Sequence, residues 1–409
     1  MFARGRQRIA AALQKTLPFG WGNIAKLALI LFFSRLYFYV PVGTLYLQSR
    51  GLNYLQINSL WGIIVGTMFL TEVPTGMLAD RIGRKHSIIV ALFLQLAGEV
   101  LYIFANQYLI FVLISIVAGV GFAFLSGCIE ALVYDSLQAM GRQRDMSEAM
   151  GYIGAAERLA NLLSFATGGL LIARLTREQF VLGIAATACM VGIGWLLSFT
   201  LRETQTEQER KANGSSIKLL IDGVRLIKNN KPFRILVVMA LVTIPFRDYL
   251  GMYQSRLADL GVSPLWIGLA TALASGLSIV GARYAYRLER RLGTRWSLLL
   301  VTALPGLLYL VAAALFHPIF SALAYTTLSG SMSLKDPLFA GHLNKHIASQ
   351  NRATVISLIS MVSGLYVSLM GLIIGHVGDR SLSRAFVLMG AVVLAGSLLF
   401  WTRVEPGED

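Results

Sequence analysis

Charge is scarce here: 14% of the 409 residues are Asp, Glu, Lys or Arg, while 56% are hydrophobic. A soluble globular chain carries about a quarter charged residues, so the composition excludes that class. Acids are scarcer than bases, 21 against 36, which leaves a formal net charge of +15. No nucleic-acid partner is expected, because the bases lie in loops and tails between apolar runs rather than on one polar face. Cysteine is almost missing. Cys128 and Cys189 both sit within apolar runs, which excludes a disulfide framework. Of the five histidines (His86, His317, His342, His346, His376), only His342 and His346 are spaced like ligands, and no third ligand is evident. Neither a metal nor another cofactor is expected, and without clustered ligands or an activated nucleophile the chain does not read as an enzyme. The basic N-terminal stretch (Arg4, Arg6, Arg8, Lys15) is not followed by an early cleavable apolar segment, so no signal peptide is expected.

Long apolar runs are what the sequence has. A spanning helix needs about 20 mostly apolar residues. Twelve runs meet that length, near 24–47, 55–78, 86–105, 108–134, 151–173 and 179–201, then 233–254, 265–286, 296–315, 319–340, 352–375 and 383–402. Residues 2–17 can form a short amphipathic helix on a membrane surface. The longest polar segment, around 202–231, reads as a linker and is too short for an appended soluble domain, which argues against a sensor or scaffold. Asn213-Gly-Ser215 inside it fits a glycosylation sequon by chance.

A weak repeat divides the chain in two. Leu288-Glu-Arg-Arg-Leu-Gly-Thr-Arg295 follows the eighth run as Ala79 to Lys85 follows the second, with Gly293 at the place of Gly83 and Arg290 at that of Asp80. Ser126-Gly127 and Asp135 recur as Ser329-Gly330 and Asp336, about 200 residues later. The expectation is an all-α integral membrane protein of twelve transmembrane helices in two pseudo-symmetric six-helix bundles, 1–201 and 232–409, joined by the linker.

The most distinctive stretch is Glu72-Val-Pro-Thr-Gly-Met-Leu-Ala-Asp-Arg-Ile-Gly-Arg-Lys85, a glycine-bearing basic turn between two apolar runs. Its core, Gly76-x-Leu78-Ala79-Asp80-Arg81-x-Gly83-Arg84-Lys85, resembles the signature loop between the second and third helices of the major facilitator superfamily. The resemblance covers essentially the whole chain. It implies a secondary transporter working by alternating access, with Gly76, Asp80, Gly83, Arg84, Lys85 and Asp135 as a cytosolic gate. Asp80 would approach the N-terminus of the eleventh helix, and Arg84 would bond Asp135. Placing this loop in the cytosol puts both termini and the linker there too. The larger share of Lys and Arg then falls on the inner side, as the positive-inside rule requires. A multi-pass protein of the bacterial inner membrane, monomeric in the bilayer, is expected.

Glu72-x-Pro-Thr-Gly76 and Glu130-x-x-x-Tyr-Asp-Ser136 look like exporter-type members, implying proton-coupled efflux of a small organic molecule. The alternative is uptake of a metabolite, an anion drawn to Arg35, Arg247 or Arg283. Two positions depart from the family: Ser115 stands where proton-driven members carry an arginine, and Gly168-Gly169 in the fifth run lacks the exporters' proline.

A charge inside a span costs several kcal/mol unless it meets a cavity or a partner, so each is a candidate. Glu130, more than one turn from the cytosolic end, is expected away from bulk water and is the main candidate for proton coupling or cation binding, followed by Glu99 and Asp248. Arg35 and Glu99 are expected to meet Glu130 in the cavity of the first bundle. Arg35, Tyr37, Tyr39 and Trp61 are substrate-wall candidates there, and Arg247, Tyr249 and Tyr253, just after Pro245, on the other side. Gly62-x-x-x-Gly66 and Gly371-x-x-x-Gly375 are read as helix packing.

Overall fold

The computed structural model describes residues 22–203, 238, 240–339 and 352–401. The amphipathic segment at 2–17, nearly all of the linker with Asn213, and both His342 and His346 lie outside them. Among the described residues every regular element is helical. Seven helices among the described residues are long and apolar enough to cross a membrane.

That number falls short of twelve in part because the seventh run before Ala240 lies almost wholly outside the described residues, and otherwise for physical reasons. The first apolar run is broken into α1 (Asn23–Ser34) and α2 (Gly43–Ser49) by a short turn carrying Pro41. Proline lacks an N–H and disfavours helix at the residue before it. The freed backbone finds side chains: Thr187 Oγ1 accepts from the Phe38 N–H at 3.1 Å, and Gln95 donates to the Ser34 carbonyl at 3.1 Å. Irregular backbone at membrane depth persists only with such partners. α3 (Tyr54–Ile82) opens on an Asn53–Gln56 capping box and runs through Pro74. α4 (Arg84–Phe104) follows after a single residue, Gly83 at φ 93 and ψ 161, a conformation only glycine adopts freely.

The fourth run is split into α5 (Tyr108–Leu125) and α6 (Cys128–Ala139) by Gly127 at φ 70. α7 (Met146–Leu171) is long, but Glu148, Glu157 and Arg158 dilute its hydropathy. α8 (Arg177–Ser198) closes the first set. Beyond the linker come α9 (Met252–Asp259), α10 (Pro264–Ala314), α11 (Pro318–Ser331), α12 (Arg352–Arg380) and α13 (Leu382–Trp401). α10 is two helices fused at Gly293, whose φ 76 and ψ 166 reproduce the Gly83 turn. The repeat inferred from Gly83 and Gly293 is therefore a repeat of backbone shape. Ser126-Gly127 and Ser329-Gly330 differ: the first pair breaks its helix, the second stays helical and leads into a tight turn at Met332–Leu334.

α1 packs on α7 and α8, α4 on α5 and α8, and α10 on α11 and α13. The core of the first set joins Leu27, Ile30, Leu92, Leu132 and Val133. Large apolar side chains also cover the outside, among them Leu70 at 74% and Leu109 at 70% exposed. Water would penalise such a surface, and lipid does not.

The two sets meet along α3–α12 and α7–α10. Hydrogen bonds between them gather, among the described residues, toward the Asn53 end. Asp379 accepts from the Tyr54 and Leu55 N–H groups at 2.6 and 3.3 Å. Gln254 accepts from the Thr44 N–H and donates to the Val40 carbonyl, Ser255 donates to Gln48, and Asn58 donates to the Gly371 carbonyl. Glycines allow this approach. A Cβ on Gly375 would sit 2.7 Å from Leu55 Cα, and one on Gly62 3.4 Å from Ser368 Cβ. Gly371 instead makes room for the Tyr249 hydroxyl, and Gly66 faces open space.

Candidate functional site

Three places gather the functional candidates. At the Gly83 turn, Arg84 bonds the Asp135 carboxylate and donates to the Ala131 carbonyl at 2.6 Å. The side chains of Arg84 and Asp135 are 18% and 16% exposed, so the pair is largely shielded from water. The Lys85 N–H donates to Glu203 Oε2 at 3.0 Å, pinning the start of α4 to the end of the first set. Asp80, half-buried in the last turn of α3, lies one turn beyond Gly76. The residues just before α12 lie outside the described ones, so the expected approach of Asp80 to that helix does too.

The second place is a cavity of about 320 Å³ inside the first set. It takes Tyr37 and Tyr39 from the broken first span, Trp61 from α3, Gln95 and Glu99 from α4, and Ser115 from α5. Glu99 is only 8% exposed. Its Oε1 accepts from the Tyr39 hydroxyl at 3.2 Å, and its Oε2 is buried with no partner among the described residues. Gln95 donates to the Tyr37 oxygen at 2.6 Å, fixing that ring. Tyr39 stacks on Tyr102 with centroids 5.2 Å apart.

The third place is a polar cavity of about 460 Å³ between the two sets. Arg158 and Asn161 come from α7, Ser275 and Ser278 from α10, with Arg247, Ser333 and Asp336 opposite. Arg247 donates to Ser333 at 3.1 Å and lies 3.8 Å from Asp336, both side chains well exposed. An open pair of that kind is worth little as a staple.

Several expectations need correcting. Glu130 is exposed, because Gly127 ends α5 and leaves Glu130 in the first turn of a new helix. Arg35 does not join it; Arg35 pairs with Glu157 on α7 at 3.2 Å. The strongly buried carboxylate is Glu99. Tyr249 and Tyr253 line neither cavity. Tyr249 donates to the Val367 carbonyl at 2.6 Å, and Tyr253 packs between Tyr325 and Phe386, so both are core. Asp248 is exposed beside Arg247 in a tight turn.

Sequence reasoning misses Gln95 and Lys335. Both had a signal: a polar residue one helical turn before Glu99, and a lysine directly before Asp336 inside an apolar run. Lys335 is 8% exposed, and its Nζ donates to the Thr243 carbonyl at 2.8 Å, where the chain leaves helix before Arg247. Lys335→Met removes this charged hydrogen bond, a loss of about 1.5–3 kcal/mol. Thermal unfolding in detergent is expected to shift down by several degrees; an unchanged midpoint would show that water replaces the ammonium. Among the described residues no group of three His, Cys, Asp or Glu side chains is placed to hold a metal.

Comparison with known proteins supplies the context. The sequence profile of the Major Facilitator Superfamily matches residues 27–365. An uncharacterized MFS-type transporter of Bacillus subtilis (strain 168), YxaM, is 25% identical over 382 residues, 90% of this chain and 92% of that protein. Multidrug resistance protein 2 of the same organism is 22% identical over 380 residues, with the same shares covered. Among solved structures, the nucleoside transporter NupG superposes with a TM-score of 0.74 at 14% identity, covering 94% of this chain and all of that one. A D-xylose-proton symporter superposes with a TM-score of 0.70 at 14% identity, covering 93% and 97%. At such identities the likeness is one of fold.

Proposed function

Since the chain belongs to the major facilitator superfamily, we propose that it is a secondary active transporter coupling proton entry to efflux of a small organic molecule. Twelve spans, counted with Gly293 as a loop and the broken first and fourth runs as one span each, form two rocking halves, 1–201 and 232–409. The Gly83 turn, both termini and the linker face the cytosol, in a monomer of the bacterial inner membrane. The observation that carries the reading is the polar cavity between the halves, walled from both sides by Arg158 and Arg247 with Asp336. Transporters of this build bind substrate between their repeats near the midplane. The latch at Tyr54, Leu55 and Asp379 then makes this the state closed to the outside.

Coupling is assigned to the membrane carboxylates, with Glu99 ahead of Asp248 and Glu130. A carboxylate oxygen left alone at that depth needs a proton or a cation as partner. Gly83, Arg84, Lys85, Asp80 and Asp135 act as the inner gate. Efflux draws support from the relative that is a multidrug resistance protein. A second reading, uptake of an anionic metabolite, draws on Arg158 and Arg247 in the same cavity.

Purified protein in proteoliposomes with an imposed pH gradient separates the two. Accumulation of an organic compound against its own gradient, driven by protons moving the other way, is expected. Accumulation only in the direction of proton flow, or only of anions, would replace efflux by the second reading.

A further inference from the structure

We propose that the cavity around Glu99 is a binding site for a lipophilic organic monocation, an aromatic or branched quaternary ammonium in chemical class. The inference adds to the efflux reading a second site, apart from the cavity between the halves, and rests on that reading only for its role in transport; the binding itself stands alone.

Glu99 is more than nine-tenths buried and lines the cavity, and its Oε2 has no hydrogen-bond partner among the described residues. Among those residues no Lys, Arg or His lines the cavity. Arg35, two residues before Tyr37, is turned away to Glu157. An anion would therefore meet a carboxylate and no countercharge. A neutral ligand would leave Oε2 as it is. Both are disfavoured.

Small inorganic cations fail on coordination. Magnesium and calcium take six or more oxygen ligands, and here one carboxylate faces mostly apolar walls. Those walls suit an organic cation. Tyr37, Tyr39, Trp61, Tyr102, Phe111 and Phe122 surround the space, and aromatic faces attract a cation most when water is excluded. The volume of about 320 Å³ lies at the small end of ligand pockets, enough for one compact ring-bearing amine. Gln95 is spent on Tyr37 and the Ser34 carbonyl, and Tyr39 on Oε1. Oε2 is the carboxylate oxygen they leave without a partner among the described residues.

The test uses full-length purified protein and radiolabelled benzyltriethylammonium as the probe. Direct binding is expected, at least 10-fold tighter than competition by neopentylbenzene, a neutral analogue, or by benzenesulfonate. Glu99→Gln, nearly isosteric, is expected to weaken the probe 10-fold or more, while Arg384→Ala, an exposed charge at the start of α13 outside both cavities, changes it less than 2-fold. Affinity retained in Glu99→Gln, or tighter binding of the sulfonate, would overturn the proposal. Should Glu99→Gln fail to fold, the wild-type protein answers through a lipophilic carbodiimide, which modifies buried carboxylates. The probe is expected to protect Glu99 in peptide mass spectra, and full modification despite saturating probe would overturn the site equally. Proton-driven flux of the same probe reads the other claim. Binding at Glu99 without flux keeps the site and removes the efflux reading; flux indifferent to Glu99 does the reverse.

Discussion

Gly268→Val is expected to abolish transport and to open the Asn53 end while the helices themselves stay folded. A Cβ at 268 would stand 2.6 Å from the Phe165 carbonyl oxygen and 2.9 Å from Gly169 Cα. Both neighbours are backbone, and no side chain can swing aside. Gly169 is as tight from the other side, 2.7 Å from the Pro264 oxygen. Relief requires α7 and α10 to move apart. Overpacking a tight contact costs about 1–3 kcal/mol, and here the cost falls on the state in which the helices touch. Each 1.4 kcal/mol is about a factor of 10 in an equilibrium, so the closed end should lose roughly 5- to 150-fold in population. Spin labels at Arg174 and Ser263, both at least partly exposed at that end, should report a longer distance. Gly276→Ala is the control, since its Cβ meets Leu162 at an ordinary 3.9 Å. Wild-type transport with an unchanged distance in Gly268→Val would remove this crossing from the mechanism.

That contact shows where sequence reading stops. Gly168-Gly169 is visible in the fifth run, but nothing in it says that Gly268, a hundred residues on, is its counterpart. Elements legible from local chemistry came through: the Gly83 turn, because only glycine tolerates its backbone, and the helices with long apolar runs. The Arg84–Asp135 contact was legible only through a family resemblance, since the spacing of the two residues carries no local signal. Side-chain fates were the least legible. Glu130 and Glu99 look alike as lone acids in apolar runs; Gly127 breaks one helix and exposes Glu130, while Tyr39 and its neighbours enclose Glu99. Tyr249 and Tyr253 likewise became core because the helix ends at Thr243 and turns them inward onto Val367 and Phe386.

Asp135→Asn is expected to reduce transport at least 10-fold, and the exchange Arg84→Asp with Asp135→Arg to recover part of it. Both side chains are mostly shielded, so removing one partner strands the other charge, at about 3–5 kcal/mol for a buried pair. How that cost divides between states decides its meaning. A pair made in both conformations lowers stability and leaves the exchange between them alone. A pair made only when the outer end is closed shifts the exchange instead, and the rate falls with little change in melting. The second case is expected because the bond ties the first turn of α4 to α6 just beyond the Gly127 break, where an interrupted helix can shift while the rest of the first set moves as a unit. Measuring initial rate and melting midpoint on Arg84→Asp, Asp135→Arg and the exchange completes a thermodynamic cycle, which isolates the coupling from the separate losses. Loss of melting midpoint at a normal rate would make the pair a static staple and move the inner gate to Asp80. A lost rate at a near-normal midpoint, recovered in part by the exchange, ties the opening of the cytosolic end to this one bond.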